Sequence, residues 1–126
     1  ADHVARAGHE VLDLGTDSTS RVDYPDFGAA VGRTVAAGDA QFGLCVCGSG
    51  IGIAMAAGKV PGIRAATVHD VTSARMARAH NDANVMCVGE RFIGPQVALD
   101  AVDAFLATDF DGGRHSARVA KIDALD

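Results

Sequence analysis

The segment Cys47-Gly48-Ser49-Gly50-Ile51-Gly52 sets a thiol beside three glycines at alternate positions. A thiolate here can take a proton from carbon or act as a nucleophile. The glycines let the backbone approach a ligand, and amides at the start of a following helix favour an anion: a phosphate, a carboxylate or a transient enediolate. The spacing fits neither G-x-G-x-x-G nor a P-loop, since no Gly-Lys-Ser/Thr follows. A tight strand–helix turn without a ligand is the alternative. Cys47 then packs as a small hydrophobe, and Ser49 is a solvated turn residue rather than a donor to a developing oxyanion. Cys45 and Cys87 read as core cysteines.

His80-Asn81-Asp82 follows a predicted helix and precedes a buried strand. A histidine in such a loop can do general acid–base work. A helix cap and turn residues explain the same three positions equally well. His69-Asp70 stands at another strand end, either on the substrate side or with Asp70 as a helix cap. Arg114 and Arg118 share one helix face and can clamp a phosphate; a solvated basic face is the alternative. Arg91 points toward a cleft from the end of a strand, or pairs with Glu90. Arg64 and Lys59 read as surface groups, as do His3 and His9. Neither C-x-x-C nor H-E-x-x-H occurs, so the expected chemistry needs no metal and no cofactor.

Positioning these groups requires alternating strands and helices. Apolar runs predict strands over 10–14, 43–47, 63–68 and 84–88, and helices over 26–37, 51–58, 71–79, 95–107 and 114–124. Strands apolar on both faces imply a parallel sheet covered by helices, a three-layer α/β/α Rossmann-like domain with ligands at the carboxyl ends of its strands. Residues 1–7 read as the tail of a helix ending at Gly8. An α/β domain of this kind opens with a strand, so the expectation is that the first strand is missing from residues 1–126.

The 126 residues fit one domain, and 48% are hydrophobic, enough for a core built on aliphatic side chains. A formal charge of −5 gives no electrostatic reason to bind nucleic acid. Three cysteines, two of them on one face of one strand, make a poor disulfide framework. With no apolar span or leader pattern in this sequence, the expectation is a cytoplasmic protein with reduced thiols and no membrane partner.

Read together, these segments resemble the family of ribose-5-phosphate isomerase B and the galactose-6-phosphate isomerase subunits. The resemblance is carried by Gly8-His9-Glu10-Val11 with Asp13-Leu14-Gly15-Thr16, Asp23-Tyr24-Pro25, the Gly-rich turn through Ile53, and Ala57 to Ala65. It continues through Ser73-Ala74-Arg75, His80 to Val85, and Gly112-Gly113-Arg114-His115 with Arg118. It implies a cofactor-independent aldose–ketose isomerase acting on a phosphorylated sugar, as a homodimer or tetramer with sites between subunits. It implies Cys47 as the proton-abstracting base and His80 as the residue that opens the sugar ring. Gly48, Ser49, Gly50, Ile51 and Gly52 become the enediolate cradle. Asn81 becomes a sugar-oxygen ligand, Arg91, Arg114 and Arg118 phosphate ligands, and Tyr24 part of the pocket wall. The family's opening strand ends in an Asp-His pair. Asp2-His3 does not take that role, because its spacing to Gly8 fits the end of the first helix. The alternatives are a sugar-phosphate-binding or subunit-type module inactive alone, and an isomerase for a hexose 6-phosphate.

Overall fold

The computed structural model describes residues 1–126. In chain order the elements are α1 (Asp2–Arg6), α2 (Tyr24–Ala36), β1 (Gly43–Cys47), α3 (Ile51–Gly58), β2 (Ala65–Thr67), α4 (Val71–Asn81), β3 (Val85–Gly89), α5 (Pro95–Ala107) and α6 (Arg114–Asp123). The three strands form one parallel sheet in the order β1-β3-β2. Every residue of β3 is buried, as expected for a central strand covered on both faces.

Alternation along β3 sorts the core into two halves. Val85 and Cys87 face one cluster with Val35 of α2 and Ile53 and Ala57 of α3. Met86 and Val88 face the other, with Ala74 and Ala77 of α4 and Ala101 and Phe105 of α5. This is the three-layer α/β/α arrangement that the pattern predicts. No helix is long and apolar enough to cross a membrane.

The run 10–14 is not a strand. The sheet ends at β1, and residues 10–14 find no neighbouring ladder to bond their amides and carbonyls, which a strand requires. Leu12 is exposed accordingly. The predicted strand 63–68 narrows to β2, because the Arg64 amide bonds the Asn84 side chain at 2.8 Å instead of joining the ladder. Helix α4 extends past residue 79 to Asn81 and stops at Asp82, which adopts a left-handed φ of 47°. His80 and Asn81 therefore occupy the last turn of a helix and not a loop.

Helices α2 and α3 pack closely through two glycines. A Cβ on Gly28 would sit 2.8 Å from the Ile53 carbonyl oxygen, and one on Gly32 would lie 3.1 Å from that of Ala57. The first obstacle is backbone and cannot swing aside. Gly28→Ala is expected to destabilise by about 1–3 kcal/mol in urea unfolding, despite the better helix propensity of alanine. A stability equal to or above that of the parent chain would show that the two helices can part without cost.

Candidate active site

The Gly-rich turn lies at the carboxyl end of the sheet. Cys47 ends β1 and is half-buried, with its thiol free. Its Sγ accepts the Gly50 N–H at 3.1 Å, the kind of donor a thiolate takes. Gly50 has φ 76°, and a Cβ there would sit 2.7 Å from the backbone of Val88. Only glycine serves both the left-handed backbone and the close approach to β3. Thr67 of β2 donates its hydroxyl to the Gly50 carbonyl at 2.8 Å, and this ties the turn across the sheet. Ser49 Oγ accepts the Ile51 N–H at 3.2 Å, which leaves the hydroxyl proton for a ligand. Gly50 and Ile51 commit their amides to these side chains; the next amides that open α3 have no helical carbonyl to bond and remain a row of donors for a ligand.

Two side chains border that row. The Arg91 N–H bonds the Gly48 carbonyl at 3.1 Å, and its guanidinium lies over Gly48, where a Cβ would come within 3.4 Å of it. The Tyr24 ring rests against Gly52, in the space any larger residue would need. Cys47, Gly48, Ser49, Gly50, Ile51, Gly52, Arg91 and Tyr24 thus form one group.

His80, Asn81, Arg114 and Arg118 form a second group at the opposite end. Strands β1 and β3 run parallel in the register Gly43↔Val85 to Cys47↔Gly89. His80 and Asn81 end the helix that feeds the amino end of β3, where Gly43 N–H bonds the Asn84 carbonyl at 2.9 Å. The length of a five-residue strand, roughly 13 Å at 3.3 Å per step, therefore separates this edge from Cys47. The two groups do not converge within one chain. Helix α6 completes the second group: His115 stacks on His80 with ring centroids 4.5 Å apart and planes 12° apart. Arg114 and Arg118 are exposed on the same helix.

His80, Asp111 and His115 offer ligand atoms within 4.8 Å of one another. The near-parallel rings carry their lone pairs side by side, and an ion about 2.1 Å from both nitrogens and in both ring planes would require one ring to turn. Desolvation, then His80 and Arg114, push the His115 pKa below its ordinary value, with Arg118 adding to this and Asp111 opposing it.

The remaining candidates separate cleanly. Asp70 caps α4 through the Ser73 N–H at 2.7 Å, and that bond holds its carboxyl below the usual range. His69 is exposed beside it. His3 pairs with Asp103 at 2.7 Å. Cys45 and Cys87 are buried register partners. The hydrogen bond to Cys45 and burial both push the Cys87 thiol up, which keeps it protonated.

Arg64 is not an ordinary surface group. It donates to the Asp82 carbonyl at 2.8 Å and pairs with Asp82 and Asp123, so it fastens α6 to the end of α4. Arg78, which is not among the residues singled out from the sequence, is buried. It pairs with Asp82 at 2.8 Å and lies over the Phe42 ring at 4.8 Å. The i, i+4 spacing of Arg78 and Asp82 was the only signal for it in the sequence.

A thiol under an amide row at the mouth of a parallel α/β sheet, with arginines at both sheet ends, fits the class of aldose–ketose isomerases, and the relatives of the chain place it there. The family model for Ribose/Galactose Isomerase matches residues 1–122, and the chain belongs to that family. It is 43% identical to ribose-5-phosphate isomerase B of Escherichia coli over 98% of this chain and 83% of that protein. The solved ribose-5-phosphate isomerase B of Clostridium thermocellum superposes with a TM-score of 0.96 at 49% identity, covering 98% of this chain and 84% of that one. The Mycoplasma genitalium enzyme with bound ribulose-5-phosphate superposes with a TM-score of 0.93 at 39% identity, over 98% and 83% of the two chains.

Proposed function

We propose that this chain interconverts ribose 5-phosphate and ribulose 5-phosphate through a cis-enediolate, in sites built from two copies of the chain. The observation that carries this is the Cys47 sulfur, held by the Gly50 amide at the mouth of the donor row. His80 passes a proton to the ring oxygen and accepts that of the O1 hydroxyl, and the furanose opens to the aldehyde. The Cys47 thiolate takes the C2 proton, and the electron pair moves through C1 to the carbonyl oxygen. The amides of the 48–52 turn that are not bonded within it and the Ser49 hydroxyl hold that charge. The sulfur returns the proton to C1 while the O2 hydroxyl proton passes to the O1 oxyanion, giving the ketose. Asn81 binds a sugar oxygen, and Arg91, Arg114 and Arg118 hold the phosphate, whose binding energy positions the reacting carbons.

The separation of Cys47 from His80 within one chain favours a shared site. Helix α3 supports it independently. Its sequence, Ile51–Gly58, has no charged or polar side chain, yet Ile51 is 49% and Met55 67% exposed. A helix apolar all round is one that expects cover, and a second copy is the proposed cover. The same separation makes an isolated single chain inactive, which absorbs the subunit-type alternative. Ribose 5-phosphate is preferred to a hexose 6-phosphate on the relative that binds ribulose-5-phosphate.

Incubation with ribose 5-phosphate in deuterium oxide, followed by NMR, tests this reading. Ribulose 5-phosphate carrying deuterium at C1 is expected, because the thiol proton exchanges with solvent. No conversion refutes the assignment, and conversion without any label refutes the enediolate route in favour of hydride migration.

A further inference from the structure

We propose that His115 is a positioning residue whose ring fixes the plane of the His80 imidazole during sugar-ring opening. The inference rests on the isomerase reading above and assigns a role to a residue that reading leaves idle. The torsion that sets an imidazole plane is broad and roughly two-fold, so a histidine needs an outside contact to hold one orientation. His80 makes no side-chain hydrogen bond within the chain; both of its ring nitrogens are left for substrate. Its one specific ring contact is the His115 stack, at 4.5 Å and 12°. Stacked rings at this spacing restrain tilt without occupying either nitrogen.

The contact is itself held in place. Asp111 N–H bonds the Ala79 carbonyl at 3.0 Å, which locks the loop before α6 to the residue preceding His80. Gly112 and Gly113 have φ of 67° and 55°, and His115 N–H returns to the Gly112 carbonyl at 3.0 Å. At its far end α6 is fastened by the Arg64–Asp123 pair at 3.0 Å and by the Gly62 N–H to Asp126 at 2.8 Å. Facing the two rings are Arg114 and Arg118 from α6 and Asp111 from the loop. Desolvation, then His80 and Arg114, disfavour a positive charge on His115.

The test compares His115→Ala and His115→Phe on two substrates. Ribose 5-phosphate is mostly cyclic, whereas erythrose 4-phosphate has no free hydroxyl able to close a five-membered ring and needs no ring opening. His115→Ala is expected to lower kcat for ribose 5-phosphate by about tenfold, with KM moving less than about twofold. Its rate on erythrose 4-phosphate should stay within about twofold of the parent enzyme. His115→Phe, which keeps the stack and cannot titrate, should recover all but about threefold of the ribose 5-phosphate rate. Equal losses on both substrates, no loss on either, or failure of phenylalanine to rescue would each overturn the positioning role. The parent enzyme and His80→Ala are run alongside. A parent that does not convert ribose 5-phosphate, or an unimpaired His80→Ala, refutes the isomerase reading instead. Should the parent leave erythrose 4-phosphate untouched, the same comparison is made in the reverse direction with ribulose 5-phosphate, whose esterified O5 cannot close a five-membered ring and which therefore needs no ring opening.

Discussion

Cys47→Ala is expected to lower the turnover of ribose 5-phosphate by about 10³-fold, the usual loss when a positioned base is removed. The sulfur is the only group at the turn able to take a proton from carbon, because Ser49 Oγ serves as an acceptor for the Ile51 amide. No carboxylate occurs between Cys47 and Lys59 to replace it. Binding should survive. The arginines and the amide row do not depend on the thiol, so the affinity for ribose 5-phosphate, read by calorimetry, should change by less than about threefold. Folding should survive as well. The one hydrogen bond lost, from the Gly50 N–H, belongs to a half-buried residue that water can reach, and costs about 1 kcal/mol or less. Cys47→Ser separates packing from chemistry: its hydroxyl fills the space and accepts the amide, yet is far too weak an acid to supply the base. Turnover by either variant within tenfold of the parent would remove Cys47 from the mechanism.

Why was so much of this legible before the fold was known? Strand β3 reads as Asn-Val-Met-Cys-Val within one residue of its place, since a strand buried on both faces must be apolar throughout. Helices α3 and α5 fall on their predicted residues because glycine or proline marks their starts. Residues 10–14 failed for a physical reason. Val11 and Leu12 satisfy a strand pattern locally, but a strand exists only against a neighbour, and local pattern carries no record of the neighbour.

The site divides along the same line. The Gly-rich turn is contiguous, so its thiol, hydroxyl and amides could be read together. His80, Asn81, Arg114 and Arg118 could be named but not placed, because which end of the sheet a loop occupies follows from topology alone. Arg64 and Arg78 show the limit more sharply. Their partners Asp123 and the Phe42 ring lie far away in sequence, and a long-range ion pair leaves no periodic trace.

The shared site makes the second large prediction, and it tests where the two groups meet rather than which step each performs. Cys47 and His80 sit at opposite ends of one sheet, so in the proposed mechanism each site takes the thiol from one protomer and the imidazole from its partner. Cys47→Ala and His80→Ala should each reduce activity by about 10²-fold or more on their own. Co-expressed with two different affinity tags and purified through both, the two inactive chains form a hetero-pair. Closed two-fold symmetry gives that pair two sites. One contains both substitutions, and the other contains neither. The doubly tagged pair should therefore recover about half of the parent activity per pair, with the parent KM, since its intact site is chemically unaltered. If instead each chain folded both groups into its own site, every site in the pair would carry one lesion, and activity would stay at the level of the single variants. The amide row of one protomer and the arginines of the next would then have no reason to meet, and the exposed apolar side of α3 would need a different occupant.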